Sequence, residues 1–118
     1  MIRHISAVTF AVRDMTRSIE FYRKLGFELS YGGDRAAFSS LKAGEAFVNL
    51  VASRGYEYRW WGRAIFRVDD VDGHYRALRA QGLELESPRD AEWGERFCHI
   101  TDPDGHEISF AELLPVRV

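Results

Sequence analysis

Val12, Asp14, Met15, Ile19, Tyr22, Gly26, Phe27, Glu28 and Leu29 are followed 56 residues later by Val68, Asp70, Val71, Tyr75, Leu78, Gly82, Leu83, Glu84 and Leu85. The second set repeats the first in identity or in apolar character, so the chain reads as two copies of one module. Module one covers residues 1–55 and module two residues 62–118, joined near Gly55 to Gly62. At 118 residues the chain is long enough for one domain with a real core and too short for two independent ones. The expected organisation is a single domain, 1–118, made of two similar halves.

Each copy carries the same signals in the same order. Ile5 to Val12 is rich in β-branched and aromatic residues and predicts a strand. Asp14 is placed to cap a helix whose apolar face is Met15, Ile19, Tyr22 and Leu25. Gly26 ends that helix in the left-handed conformation glycine tolerates. Strands are expected near Phe27–Tyr31, Ala36–Leu41 and Glu45–Ala52, with turns at Gly32-Gly33-Asp34 and Lys42-Ala43-Gly44. In the second copy Arg63–Val68 is a strand, Asp70 the cap, Val71, Tyr75 and Leu78 the helix face, and Gly82 the stop. Strands near Leu83–Ser87, Arg96–Thr101 and Glu107–Leu113 follow, the last two joined by the turn Asp102-Pro103-Asp104-Gly105. The fold class is α+β: two βαβββ modules with curved antiparallel sheets, each helix covering one sheet face and the other faces forming a cleft.

Side chains alternate along a strand, which sorts the cleft face from the helix face. Val8, Phe10, Val12, Val48, Leu50, Ala64, Phe66, Cys98, Ile100, Ile108 and Phe110 suit the helix side. A five-residue hairpin around Asp102–His106 would set His99 across from Ser109. The cleft floor would then carry Asn49, Arg63, His99, Ser109 and Glu107 beside Phe47, with Trp60, Trp61 and Trp93 at its walls. A few convergent polar groups in an aromatic setting is how small-ligand pockets are built. Each residue also has a plainer reading. Arg63 and Arg67 suit solvated strand positions, His99 a cross-strand partner, Glu107 a surface turn, and Trp60-Trp61 a dimer contact. His106 is expected in solvent and His74 on the exposed helix face, neither with a function.

The net charge is −2 and no block of Lys or Arg appears, so neither nucleic acid nor an anionic membrane is an expected partner. No apolar run approaches the roughly 18 residues of a membrane span. The opening residues show no apolar signal region, and Cys98 is the single cysteine, which suits a reducing cytoplasm. Between Phe97 and His99, Cys98 reads as a small buried hydrophobe, with a reactive thiol as the second reading.

The whole chain resembles the vicinal oxygen chelate superfamily, which holds glyoxalase I, extradiol dioxygenases and bleomycin-resistance proteins. The resemblance is carried by Ala7-Val8-Thr9-Phe10-Ala11-Val12-Arg13-Asp14-Met15, by Phe21-Tyr22 and Leu25-Gly26-Phe27, by Phe66-Arg67-Val68-Asp69-Asp70-Val71, and by the closing run Asp102 to Phe110. It implies a divalent metal held by His and Glu side chains, one each from the first, fourth, fifth and last strands. Those positions here are Ala7, Asn49, Arg63 and Ser109, and none is a strong ligand for such an ion. No metal or other cofactor is therefore expected, although His99 and Glu107 could form a non-standard site.

Two functions of different class follow. The first is a metal-free binding protein similar to bleomycin-resistance proteins, a homodimer that takes an anionic or aromatic small molecule. The alternative is a glyoxalase-like lyase or isomerase, or a dioxygenase, with an atypical or metal-independent site in which Arg63 steadies an oxyanion and His99 or Glu107 moves the proton. A third reading is an interaction module that dimerises through Trp60 and Trp61.

Overall fold

In the computed structural model residues 1–115 are described, so the last three residues of module two lie outside the described residues. The first strand, β1 (Ala7–Val12), buries Phe10 and Val12, with half-buried Ala11 between them and exposed Thr9 before them. Asp14 ends the extended run and caps α1 (Met15–Leu25), its Oδ1 accepting the Arg17 backbone N–H at 3.1 Å. Helical spacing buries Met15, Ile19, Tyr22 and Leu25 together. Gly26, at φ 112°, closes the helix: its N–H reaches the Arg23 carbonyl while the Phe27 N–H reaches that of Tyr22. The strands β2 (Glu28–Tyr31), β3 (Phe38–Ala43) and β4 (Ala46–Ala52) follow.

The sheet order is β1-β4-β3-β2, with β1 and β4 parallel and the other pairs antiparallel. The sheet is mixed, which corrects the antiparallel expectation. The crossover through α1 returns β2 in the direction of β1. Two reversals later β4 runs the same way, so its pairing with β1 has to be parallel.

The second half repeats this: β5 (Arg63–Arg67), α2 (Val71–Ala80), β6 (Arg89–Asp90), β7 (Glu95–Thr101) and β8 (Glu107–Leu113), in the order β5-β8-β7-β6. The pair β5–β8 is parallel, so this sheet is mixed as well. Asp70 caps α2 through the Gly73 N–H at 3.0 Å, and the Leu83 N–H closes its far end on the Leu78 carbonyl. The strand expected at Leu83–Ser87 is absent. Proline cannot donate to a ladder, and the edge pairing with β7 starts only beyond Pro88, as two residues, Arg89 opposite Phe97 and Asp90 opposite Arg96. The segment read as a loop from Pro88 to Gly94 thus contains the edge strand.

The β7–β8 hairpin has the register expected from its turn. Thr101 faces Glu107 and His99 faces Ser109, leaving five residues in the loop. Within that loop the Asp102 carboxylate accepts the backbone N–H groups of Asp104 at 2.9 Å and His106 at 2.8 Å.

The chain divides into two compact units, Met1–Arg59 and the residues from Trp60 onward. In the first, fully buried Tyr22 packs against the rings of Phe10, Phe21 and Phe27, with centroids 5.4–6.1 Å away. In the second, Val71, Leu78, Ile108 and Phe110 form the centre. The His74 ring lies 4.4 Å from that of Phe110, which corrects its expected place in solvent. Position 74 is three residues past Val71 and four before Leu78, on the same helix face. Among the described residues no helix is long and apolar enough to cross a membrane.

Candidate functional site

The order β5-β8-β7 brings one face of three strands together in the second unit. Arg63 pairs with Glu107 across β5–β8, and Ser109 with His99 across β8–β7, so their side chains converge by alternation. The Arg63 guanidinium lies 3.4 Å from the Glu107 carboxylate. One of its terminal nitrogens is 2.9 Å from His99 Nδ1 and 3.0 Å from Nε2, and it donates to Ser109 Oγ at 3.4 Å. His99 Nδ1 and Ser109 Oγ are themselves in hydrogen-bond contact. Glu107 also accepts the indole N–H of Trp60 at 2.7 Å.

Two cavities meet at Arg63 and His99, each of about 370 Å³. One is acidic and polar, with Glu84, Glu86, Thr101 and Glu107 on its walls. The other is largely apolar, walled by Ile65, Phe97, Ala111 and Trp93. There the rings of Trp93 and Phe97 are nearly parallel, at 12° and 6.0 Å, and Phe97 lies 4.8 Å from the His99 ring. Trp93 donates to Glu95, whose carboxylate is also held by Arg67 at 2.9 Å. On the rim the Arg89 guanidinium sits over the face of Phe97, 5.1 Å from its centroid.

Burial, then the charges of Arg63 and Arg89, hold the His99 imidazole below its ordinary value of 6.5, against an opposing pull from Glu86 and Glu107. The neutral ring is therefore the form that faces the two arginines at neutral pH. Because the folded state binds this proton less readily than the unfolded chain, the His99 contribution to stability is complete above the ordinary value. It is lost as the pH falls below that value. The His99 ring resonances should titrate below 6.5 by NMR, and Arg63→Gln should move the midpoint upward. An unmoved midpoint would remove Arg63 as a cause.

The structure brings together Arg63, His99, Ser109, Glu107 and Trp93 of the residues singled out from sequence. Trp60 joins the group through its hydrogen bond to Glu107. Trp61 turns instead to His106, donating to its Nδ1 at 2.8 Å. His106 is buried, which corrects its expected place in solvent: the Asp102 turn folds it inward and Trp61 covers it edge-on. Asn49 and Phe47 belong to the first unit. There Asn49 accepts from Ser40 at 2.7 Å and donates to Thr9 at 3.4 Å, an uncharged polar row on the sheet face. Arg89 was not among the expected site residues. Its only sequence signal is its distance from Phe97 across a Gly94-containing turn, legible once the edge strand is placed beyond Pro88.

The positions at which the resemblance implies a metal do not fit one. Ala7 has no donor atom, the Asn49 amide is engaged by Thr9 and Ser40, and Arg63 is a fixed cation beside Ser109. The carboxylates of Asp70, Asp72 and Glu112 also lie near one another, but each has a structural task. Asp70 and Glu112 accept N–H groups in the first turn of α2, and Asp72 pairs with Arg96 at 3.0 Å. Cys98 is buried on the opposite sheet face. Burial, aided by Asp72, pushes its thiol up to about 11, so it is no nucleophile at neutral pH.

Comparison with known proteins agrees with this architecture. The chain is 27% identical over 123 aligned positions to the protein YraH of Bacillus subtilis, covering 91% of this chain and 96% of that one. A bleomycin-binding protein solved with bleomycin superposes with a TM-score of 0.78 at 22% identity, over 94% of this chain and 98% of that one. The fosfomycin resistance protein FosX of Listeria monocytogenes superposes with a TM-score of 0.77 at 19% identity, over 95% of this chain and 94% of that one. The profile of one family matches residues 2–110, and the chain belongs to the Glyoxalase/Bleomycin resistance protein/Dioxygenase superfamily.

Proposed function

We propose that this protein binds a small anionic or aromatic molecule without the help of a metal, in the manner of the family's bleomycin-binding members. The observation that carries the reading is Arg63. It stands where the resemblance implies a metal ligand, and it is held by Glu107, His99 and Ser109 at the mouth of an apolar cavity. A fixed cation beside aromatic walls suits a carboxylate, phosphate or enolate attached to an apolar body. The solved relative binds bleomycin, but two arginines at this cavity argue for an anion here. The same reading has residues 1–118 act as one domain, in a homodimer in the cytoplasm.

Two measurements test it. Elemental mass spectrometry of protein purified without tag or chelator, before and after incubation with zinc, nickel, manganese and ferrous iron, should find no stoichiometric metal. Metal near one equivalent would overturn the metal-free reading. A thermal-shift screen of anionic metabolites should yield saturable ligands whose affinity drops at least about tenfold in Arg63→Ala, since a charge-assisted hydrogen bond contributes about 1.5–3 kcal/mol. Unchanged affinity would take Arg63 out of the site.

A second reading, a glyoxalase-like lyase or isomerase, is favoured by one feature. The His99 imidazole stays neutral beside a guanidinium, a base next to an oxyanion partner. Turnover that survives both His99→Ala and Glu107→Ala would dispose of it.

A further inference from the structure

We propose that Arg89 acts beside Arg63 as a second anion receptor, and that the ligand is a planar aromatic acid whose ring lies in the apolar cavity with its carboxylate reaching Arg89. The inference rests on the ligand-binding reading above and adds to it the class of molecule and a residue outside the metal-ligand positions.

The charges around the cavity single out this arginine. Arg63 faces Glu107 at 3.4 Å, and Arg67 holds Glu95 at 2.9 Å, with Trp93 donating to the same carboxylate. Among the described residues no carboxylate lies within ion-pair distance of Arg89. Its contact is the Phe97 ring, 5.1 Å from the centroid, and the side chain is exposed at the cavity rim, open to an incoming group. A planar fork presented this way matches a carboxylate bidentately.

The rest of the cavity accepts what such an acid carries behind its charge. Ile65, Phe97 and Ala111 offer apolar surface, and about 370 Å³ is room for one or two fused rings. Glu95 is the carboxylate on this wall, and Arg67 and Trp93 already engage it, so it does not oppose an anion at Arg89.

His99 lines the same cavity, where burial and the charges of Arg63 and Arg89 disfavour its protonated form against Glu86 and Glu107. An anion that settles on Arg89 cancels part of the positive field on the imidazole. Binding must then raise the pH at which His99 titrates, and acidification must tighten binding by the same linkage.

The test uses two probes of one shape, 2-naphthoate and its uncharged counterpart 2-naphthamide, titrated by calorimetry into the wild-type protein and Arg89→Gln. Arg89 is exposed on a two-residue edge strand, and an unchanged amide spectrum would confirm that the variant folds. The expected result is saturable binding of 2-naphthoate to the wild type, with amide shifts at Phe97 and His99. Affinity should fall at least tenfold in Arg89→Gln, while 2-naphthamide binds both proteins weakly and alike. The His99 midpoint should rise with 2-naphthoate in the wild type and stay in place in the variant. Equal 2-naphthoate affinity in the two proteins would overturn the role of Arg89 and leave the cavity as a binding site. No saturable binding of either probe to the wild type would overturn the aromatic-acid assignment, while the Arg63 screen decides the broader reading on its own.

Discussion

Tyr22→Ala should destabilise the first unit by about 3–5 kcal/mol. Tyr22 has no exposed surface and is the ring that Phe10, Phe21 and Phe27 all meet. Truncation removes the transfer energy of an aromatic side chain and leaves a void bounded by three other rings, which cannot collapse without leaving their own rotamers. The check is urea denaturation followed by far-ultraviolet ellipticity, with Tyr22→Phe as the control that keeps the ring. A loss below about 1 kcal/mol in Tyr22→Ala would mean that α1 is held by something other than this cluster.

The second large effect is expected at Asp102. One carboxylate oxygen accepts two backbone N–H groups, those of Asp104 and His106, inside a buried turn. Asp102→Ala would strand both donors away from water, at about 1–3 kcal/mol each. The damage should also reach the site, because the turn sets where β8 begins. It fixes His106 under Trp61 and, one residue on, Glu107 against Arg63. Asp102→Asn keeps an acceptor oxygen and should recover most of the loss. If Asp102→Ala and Asp102→Asn melt alike, the charge of Asp102 rather than its acceptor geometry is what the hairpin uses.

The parts of the fold legible in the sequence are those whose cause is local. Asp14 and Asp70 cap helices, and Gly26 and Gly82 follow helix ends that close by the same pair of bonds, because capping needs a side chain or a φ within a few residues. The His99–Ser109 register followed from the number of residues in one turn. What failed depends on partners distant in sequence. Nothing in the composition of β1 says that β4 will lie beside it in parallel. The alternation of Leu83-Glu84-Leu85-Glu86 looks like a strand, and only Pro88 hints that pairing starts later. That slip hid Arg89, since a charged residue near a turn acquires a role only when its strand partner is known to be Phe97. His106 was misplaced for the same reason: its burial is set by Trp61, far back along the chain.

All three tryptophans, Trp60, Trp61 and Trp93, belong to the second unit, and each donates its indole N–H to a named acceptor there: Glu107, His106 and Glu95. Excitation at the red edge of indole absorption therefore illuminates one half of the molecule and leaves the other dark. Emission reads the opening of the hairpin and the cavity wall, while α1 and its tyrosine contribute only to ellipticity. Comparing the two signals in Tyr22→Ala turns the uneven placement of one residue type into a gauge of how far a lesion in the first repeat is felt in the second.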